Sequence, residues 1–386
     1  MSYKTFTDCV DIVGTACQPF PGIKKYVSTG AVDTDHIVED EVEIYIFDER
    51  PSRANLEVEV GDVLFAKMQA TKKTLLIDND LANNMYSTGF CAVRAKYGVL
   101  TNSCLYHLLT SNAFLNQKDK NCSGATQKAI TNAGLSKIII QIPDYSEQDN
   151  IARQLDLIMS IINMRKRELQ LLDDLIKARF VEMFGDPEYN NMGWPVKKLN
   201  DLCNIGSSKR IYQGELTMDG IPFWRISDLV AKMDIGNVES SLFIPESRYE
   251  ELKAQGLVPG PGDILVTSRG TLGRCYIISS DDCFYFQDGM ISWLSRYVNE
   301  ITPLYIRYLF DMHGIIKQID SMQAGSTVAY LSIAMLKKLD IMLPDKALQE
   351  QFTTFVQQVD KSKFAVQKAL EKAQLLFDSL MQQYFG

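Results

Sequence analysis

At 386 residues the chain is too long for one ordinary core and points to two or three domains. Apolar residues make up 46% and charged residues 23%, a globular balance that excludes a disordered or fibrous chain. No apolar run approaches the ~18 residues of a membrane span, and the net charge of −8 excludes a surface coated in basic residues while leaving room for a local basic cleft.

In chain order, the opening MSYKTFTDCVDIV has no basic stretch followed by an apolar one, so no signal peptide is expected. Strands are predicted at VEIYIF (42–47), DVLFA (62–66) and KIIIQI (137–142), with helix near 101–116. From Ile151 the apolar positions run Ile151, Leu155, Ile158, Ile162, Leu169, Leu172, Ile176 and Met183, a heptad seam interrupted by Arg165 and Arg179. No Gly or Pro interrupts 151–184, and Gly185 and Pro187 stop the helix. Beyond it, PGPGD (259–263) makes a tight turn into the strand DILVT (263–267), followed by CYIIS (275–279), helix near 302–322 and the strand KLDIML (338–343). A closing helix carries the seam Phe352, Val356, Val359, Val366, Leu370, Ala373, Phe377, Leu380 and Tyr384, interrupted by Lys363.

The chain is written twice. VGDVLF (60–65) resembles PGDILV (261–266), SGATQKAI (123–130) resembles AGSTVAYL (324–331), and KIIIQIP (137–143) resembles KLDIMLP (338–344). All are 201 residues apart, as are Phe184-Gly185 and Phe385-Gly386 and the two helical seams. KTFTDCVDI (4–12) resembles KKLNDLCNI (197–205) at an offset of 193, so the second copy holds extra residues inside. The halves match at their ends and diverge most at 13–59 against 206–260. Such a plan suits two ligands or two half-sites on one scaffold; simple drift after duplication is the plainer alternative. Each helix, of about 35 residues and roughly 50 Å, could pack on its own domain or on the other helix as an antiparallel coiled coil. Two equal seams ending two equal domains favour the coiled coil.

The pattern lacks the marks of catalysis. There is no GxxxxGK[ST] loop, no GxGxxG opening a helix, and no Asn/Asp-Pro-Pro-aromatic motif of an amino-methyltransferase. Pro143-Asp144 and Pro344-Asp345 have no (D/E)xK partner nearby and suit helix starts. The eight cysteines form no CxxC pair and there are three histidines, so reduced thiols in a cytoplasmic protein are expected, with no metal and no cofactor. A binding role is therefore favoured over an enzyme.

Any nucleic-acid face would have to be formed by folding, because no segment is a basic tail: the first 145 residues carry 14 basic and 17 acidic side chains and 186–344 carry 15 and 19. TSRGTLGR (267–274) sets Arg269 and Arg274 around two glycines, which let a backbone approach phosphate while Arg contacts phosphate or guanine. SSKR (207–210) offers Lys209 and Arg210, and Arg225 follows Trp224 in PFWRISD. In the first half AKMQATKK (66–73) offers Lys67, Gln69, Lys72 and Lys73 without the glycines. GATQK (124–128), with Gln127 and Lys128, matches GSTVA (325–329), with Ser326 and Thr327. Each cluster is equally readable as a turn with solvated charges.

LLDDLIKARFVEMFGDP (171–187) followed by WPVKKLNDL (194–202), PGDILVTSRGTLGR (261–274), QAGSTVAYLSIAMLKKLDIMLP (323–344) and the closing helix to YFG resemble the specificity subunits of type I restriction–modification systems. The resemblance covers essentially the whole chain. It implies an α+β fold: two tandem, similar α/β target-recognition domains separated by two long antiparallel coiled-coil helices in a pseudo-twofold repeat. The domains would be 1–145 and 188–344, with spacer helices at 146–187 and 345–386. Each domain would read one half of a split, asymmetric site in double-stranded DNA. The helices would set the gap and dock two modification (methyltransferase) subunits, and restriction (motor-nuclease) subunits would join to cut. In the family this subunit is not itself catalytic. The competing reading is a coiled-coil adaptor that presents two protein-binding domains and no DNA site, which the acidic net charge suits.

Overall fold

The computed structural model describes residues 1–323 and 329–386. Ser326 and Thr327, two of the candidate contact residues, lie outside the described residues. The chain divides into two compact units, one of residues 1–168 and 366–386, the other of residues 169–365.

In the first unit the main sheet runs in the order Val10–Val13, Phe90–Ala95, Val63–Ala66, Thr74–Leu76, antiparallel throughout. A second sheet orders Glu43–Tyr45, Lys24–Val27, Met85–Ser87 and Ala54–Leu56, with Lys24–Val27 parallel to Met85–Ser87. Ser2–Thr5 pairs antiparallel with Ile139–Ile142. The second unit repeats this frame. Its main sheet runs Asn204–Gly206, Ile291–Ser295, Ile264–Thr267, Cys275–Ile277, and Val196–Lys198 pairs with Asp340–Met342. Its second sheet keeps three strands, Phe243–Ile244, Ile221–Trp224 and Tyr285–Phe286. Where the first unit adds Ala54–Leu56, the second has the helices Ile226–Ile235 and Glu246–Ala254. The divergence expected inside the repeat is thus a difference in elements, not in sequence alone.

The predicted helix near 101–116 is two helices, Asn102–Thr110 and Asn112–Lys120. Ser111 breaks it: its backbone is extended and its hydroxyl accepts from Phe114 N, the geometry of a new N-cap. The copy near 302–322 divides likewise into Pro303–Leu309 and His313–Ser321.

The two long helices are Tyr145–Phe184 and Lys346–Phe385, each of 40 residues. They exceed the expected length because they begin directly after Pro143-Asp144 and Pro344-Asp345. The central helix ends where Gly185 turns left-handed at φ 79°; a Cβ there would lie 2.2 Å from Asn191 Oδ1. Trp194 Nε1 donates to the terminal carbonyl of Phe184 at 2.9 Å, and the Asn190 side chain brackets the Trp194 backbone. The FGD and WP pieces of the junction are therefore one capping device.

In both units the helices bury their seams against each other and against the unit's core. In the first unit Ile151 and Leu155 share a core with Met381 and Phe385. In the second, Ile176, Phe180 and Phe184 share one with Phe352, Val356 and Val359. Low numbers on one helix meet high numbers on the other, so the pairing is antiparallel in each unit. Phe180, Phe184, Tyr305 and Phe352 form an aromatic cluster with centroids 4.9–5.5 Å apart. Phe180 and Phe184 were not seam positions in the sequence reading, yet both are fully buried, each worth on the order of 2–3 kcal/mol. Lys363, the interruption of the second seam, reaches across to Asp173 Oδ1 at 2.6 Å.

Candidate nucleic-acid interface

In the first unit the strand Val63–Ala66 runs into a loop that returns as Thr74–Leu76. Ala66 N donates to Lys73 O, closing the loop. The same loop is tied to the segment 128–130: Gln69 N donates to Lys128 O at 3.0 Å and Ile130 N to Lys67 O at 2.9 Å. Gln127 Nε2 lies 2.8 Å from Met68 Sδ. The structure therefore brings Lys67, Gln69, Gln127 and Lys128 together. Gln69, Lys72, Gln127 and Lys128 are exposed. Lys73 differs, because its ammonium donates to Thr29 O at 2.8 Å and so holds the loop against the turn that follows Lys24–Val27.

Sequence reasoning missed Lys118. It is 1% exposed, and its ammonium sits inside the loop, donating to Thr71 O at 2.8 Å, Met68 O at 2.9 Å and Ala66 O at 3.4 Å. The available signal was a lysine at a position that the repeat fills with Ile319.

In the second unit the matching loop 267–274 takes another path. Gly270 and Gly273 have φ of 71° and 79°, left-handed values that side chains disfavour. Thr267 Oγ1 accepts from Arg274 N at 3.0 Å and donates to Thr271 O. Leu331 N donates to Ser268 O, the counterpart of Ile130 N to Lys67 O. Arg269 is exposed, with its guanidinium 5.3 Å from the centre of the Tyr330 ring. Arg274 is half-buried and pairs with Asp234 at 2.6 Å, and that hydrogen bond holds the Asp234 carboxyl below its ordinary range.

Lys209, Arg210, Arg225 and Arg269 all border one segment, 286–291. Ser208 Oγ donates to Phe286 O, Gln287 N to Trp224 O, Ser268 N to Met290 O, and Ser207 Oγ to Ile291 O. Arg210 Nε reaches Asp288 Oδ2 at 2.8 Å. The two serines are thereby consumed in holding their loop, while the side chains of Lys209, Arg210 and Arg225 stay exposed. Arg225 N donates to Asp228 at the start of the helix Ile226–Ile235, and its neighbour Trp224 is buried, stacked on Phe284 at 3.6 Å. The segment 286–291 carries no charge pattern that would have marked it in the sequence.

In both units, then, a loop leaving the same central strand presents polar and basic side chains, built by different means. The profile of the type I restriction modification DNA specificity domain matches residues 20–173 and again 191–375. The chain belongs to that family. Its members include a type I restriction enzyme specificity subunit of Haemophilus influenzae, 29% identical over 65% of this chain and 62% of the relative. The MjaIX specificity subunit of Methanocaldococcus jannaschii is 24% identical over 83% of this chain and 76% of the relative. The match spans less than two thirds of the length of the first of these. The fold is shared with the type I restriction–modification S subunit from M. genitalium, at a TM-score of 0.57 and 15% identity, covering 100% of this chain and 96% of that one. The specificity family is non-catalytic. Among the described residues no group of three or more His, Cys, Asp or Glu is placed to hold a metal ion, and no helix is long and apolar enough to cross a membrane.

Proposed function

We propose that this chain is the sequence-recognition subunit of a type I restriction–modification complex. Residues 1–145 and 188–344 would be its two target-recognition domains, each reading one half of a bipartite, asymmetric site in double-stranded DNA. The spacer helices at 146–187 and 345–386 would set the gap between half-sites and dock two modification subunits, with restriction subunits completing the assembly in the cytoplasm. The observation that carries the reading is the pairing of loops 67–73 and 267–274. They leave equivalent strands, are tied by equivalent backbone bonds, and present different side chains. One frame with two different polar edges is what two different half-sites require.

Lys67, Gln69, Lys72, Gln127 and Lys128 would form the first contact set; Lys73 would support it from beneath. Lys209, Arg210, Arg225, Arg269 and Arg274 would form the second, with Ser326 and Thr327 in the loop that matches 125–126. A gel shift of the assembled methyltransferase on DNA carrying its methylated site tests the reading. A sequence-specific shift that depends on this chain is expected; assembly with the modification subunits but no specific shift would favour the adaptor.

A further inference from the structure

Lysine is almost never fully buried unless its charge is met. Lys118 meets that condition with backbone: three ammonium protons face three carbonyls, those of residues 66, 68 and 71. Asp119 Oδ1 lies 3.3 Å away as the counter-charge. Two of the three carbonyls belong to the loop from which Lys67, Gln69 and Lys72 project, and the third, that of Ala66, ends the strand that feeds it.

The second unit shows what the lysine replaces. At the position 201 residues on, Ile319 is buried and its Cδ1 would lie 2.9 Å from a Cβ on Gly273. That loop turns on two glycines and satisfies its interior with the Thr267 hydroxyl. The first loop has Gln69 and Lys72 where the second has Gly270 and Gly273, and Ala66 where it has Thr267. It makes its left-handed turn at Ala70, φ 57°, without glycine. A loop with no glycine, whose one hydroxyl, Thr71, reaches only Gln69 O at 3.3 Å, needs another group to gather its carbonyls, and Lys118 is that group.

We propose that Lys118 is a positioning residue for recognition of the first half-site: it touches no DNA, and fixes the loop 67–73 by clamping its carbonyls from inside. The proposal rests on the reading of that loop as a DNA contact. It also explains how a loop can carry side chains at the two positions that its counterpart must leave as glycine.

The test uses the full chain assembled with its modification subunits, carrying Lys118→Met. Backbone amide exchange over 66–73 is expected to rise about tenfold or more, as a local clamp is lost, while 267–274 in the same molecule is unchanged. Methylation mapping is expected to show relaxed sequence at the first half-site and an unchanged second half-site. A merely structural lysine would lower stability without separating the half-sites. Ala66→Thr, Gln69→Gly, Lys72→Gly and Lys118→Ile together, which install the second unit's own solution, keep the test open if Lys118→Met does not fold; that variant should retain slower loop exchange than Lys118→Met. If neither variant folds, Lys118 is a core requirement and the proposal fails. Lys67→Ala with Lys72→Ala separates the two levels. If that variant loses DNA affinity while Lys118→Met leaves loop exchange and the first half-site intact, the clamp is wrong. If it leaves DNA binding intact as well, the loop is no DNA contact and the functional reading beneath the proposal falls.

Discussion

Gln148 and Gln349, 201 residues apart and both fully buried, make the same three kinds of bond in the two units. The Gln148 side chain accepts from Thr101 N at 2.8 Å and donates to Val99 O and Pro143 O, both at 3.0 Å. Gln349 accepts from Thr302 N at 2.9 Å and donates to Glu300 O at 3.0 Å and Pro344 O at 2.8 Å. Each glutamine thus fastens the first turn of a long helix to the loop that precedes a helix of its unit. The repeat preserved a complete hydrogen-bonding unit because a half-satisfied buried amide costs more than none.

Replacing either glutamine with leucine strands a backbone N–H and two carbonyls, at about 1–3 kcal/mol for each group left unsatisfied. Gln148→Leu is expected to destabilise the first unit and Gln349→Leu the second. Amide exchange of each unit during denaturant titration checks this; equal losses in both units from one substitution would contradict it.

Glu57 gives a pH dependence. Burial disfavours its charge, but the Lys24 ammonium at 2.6 Å and the Gln18 N–H outweigh that and hold its carboxyl below 4.5. A lowered folded value means that this stabilisation is present above the unfolded pKa and is lost as pH falls through the folded one. Glu57→Gln should therefore cost on the order of 1 kcal/mol at neutral pH. The difference from the parent should narrow once pH falls below the unfolded carboxyl value of about 4.3 and close when the lower, folded value is passed. Thermal melts at a series of pH values measure it, and a difference that grows on acidification would refute the assignment.

The two arginines of the second loop should not behave alike. Among the described residues Arg269 pairs with no carboxylate, and it is exposed, whereas Arg274 is already paired with Asp234. Arg269→Ala is expected to lower the slope of log affinity against log salt by about one if it contacts phosphate, or to relax one base position at about 1–3 kcal/mol if it reads a base. Arg274→Ala should cost less. Binding isotherms at several salt concentrations decide between them, and a larger effect at Arg274 would reverse the assignment.

Inserting four residues near Asn163, an exposed position of the uninterrupted central helix, adds about one turn, or 6 Å. At about 3.4 Å per base pair along a strand, the gap between half-sites should lengthen by one or two base pairs with both sequences kept. The added turn leaves the seam about 40° out of line, which a local stutter absorbs. Mapped methylation sites with an unchanged gap would show that the helix does not set it.

How much of this was legible depended on what duplication preserves. The offset of 201 aligned strands such as Val63–Ala66 with Ile264–Thr267 and both long helices, because residues that face a core change together or not at all. Single compensations were hidden. Lys118 looks like any helical lysine until its ammonium is seen among carbonyls about fifty residues back in the chain. The part played by Ser207 and Ser208, whose hydroxyls hold main-chain carbonyls, has no mark in the sequence. Segment 286–291 has no charge pattern and gathers its neighbours mostly through its backbone, with Asp288 the one side chain that takes a basic partner, Arg210.

The central claim is that each half of the chain reads its own half of one DNA site. It is tested most directly by methylation mapping with a chimera in which residues 188–344 come from a relative with a different target. The account predicts a bipartite site in which one half changes, the other half is unchanged and the gap is kept. A chimera that assembles and methylates, yet changes both halves or neither, would contradict it.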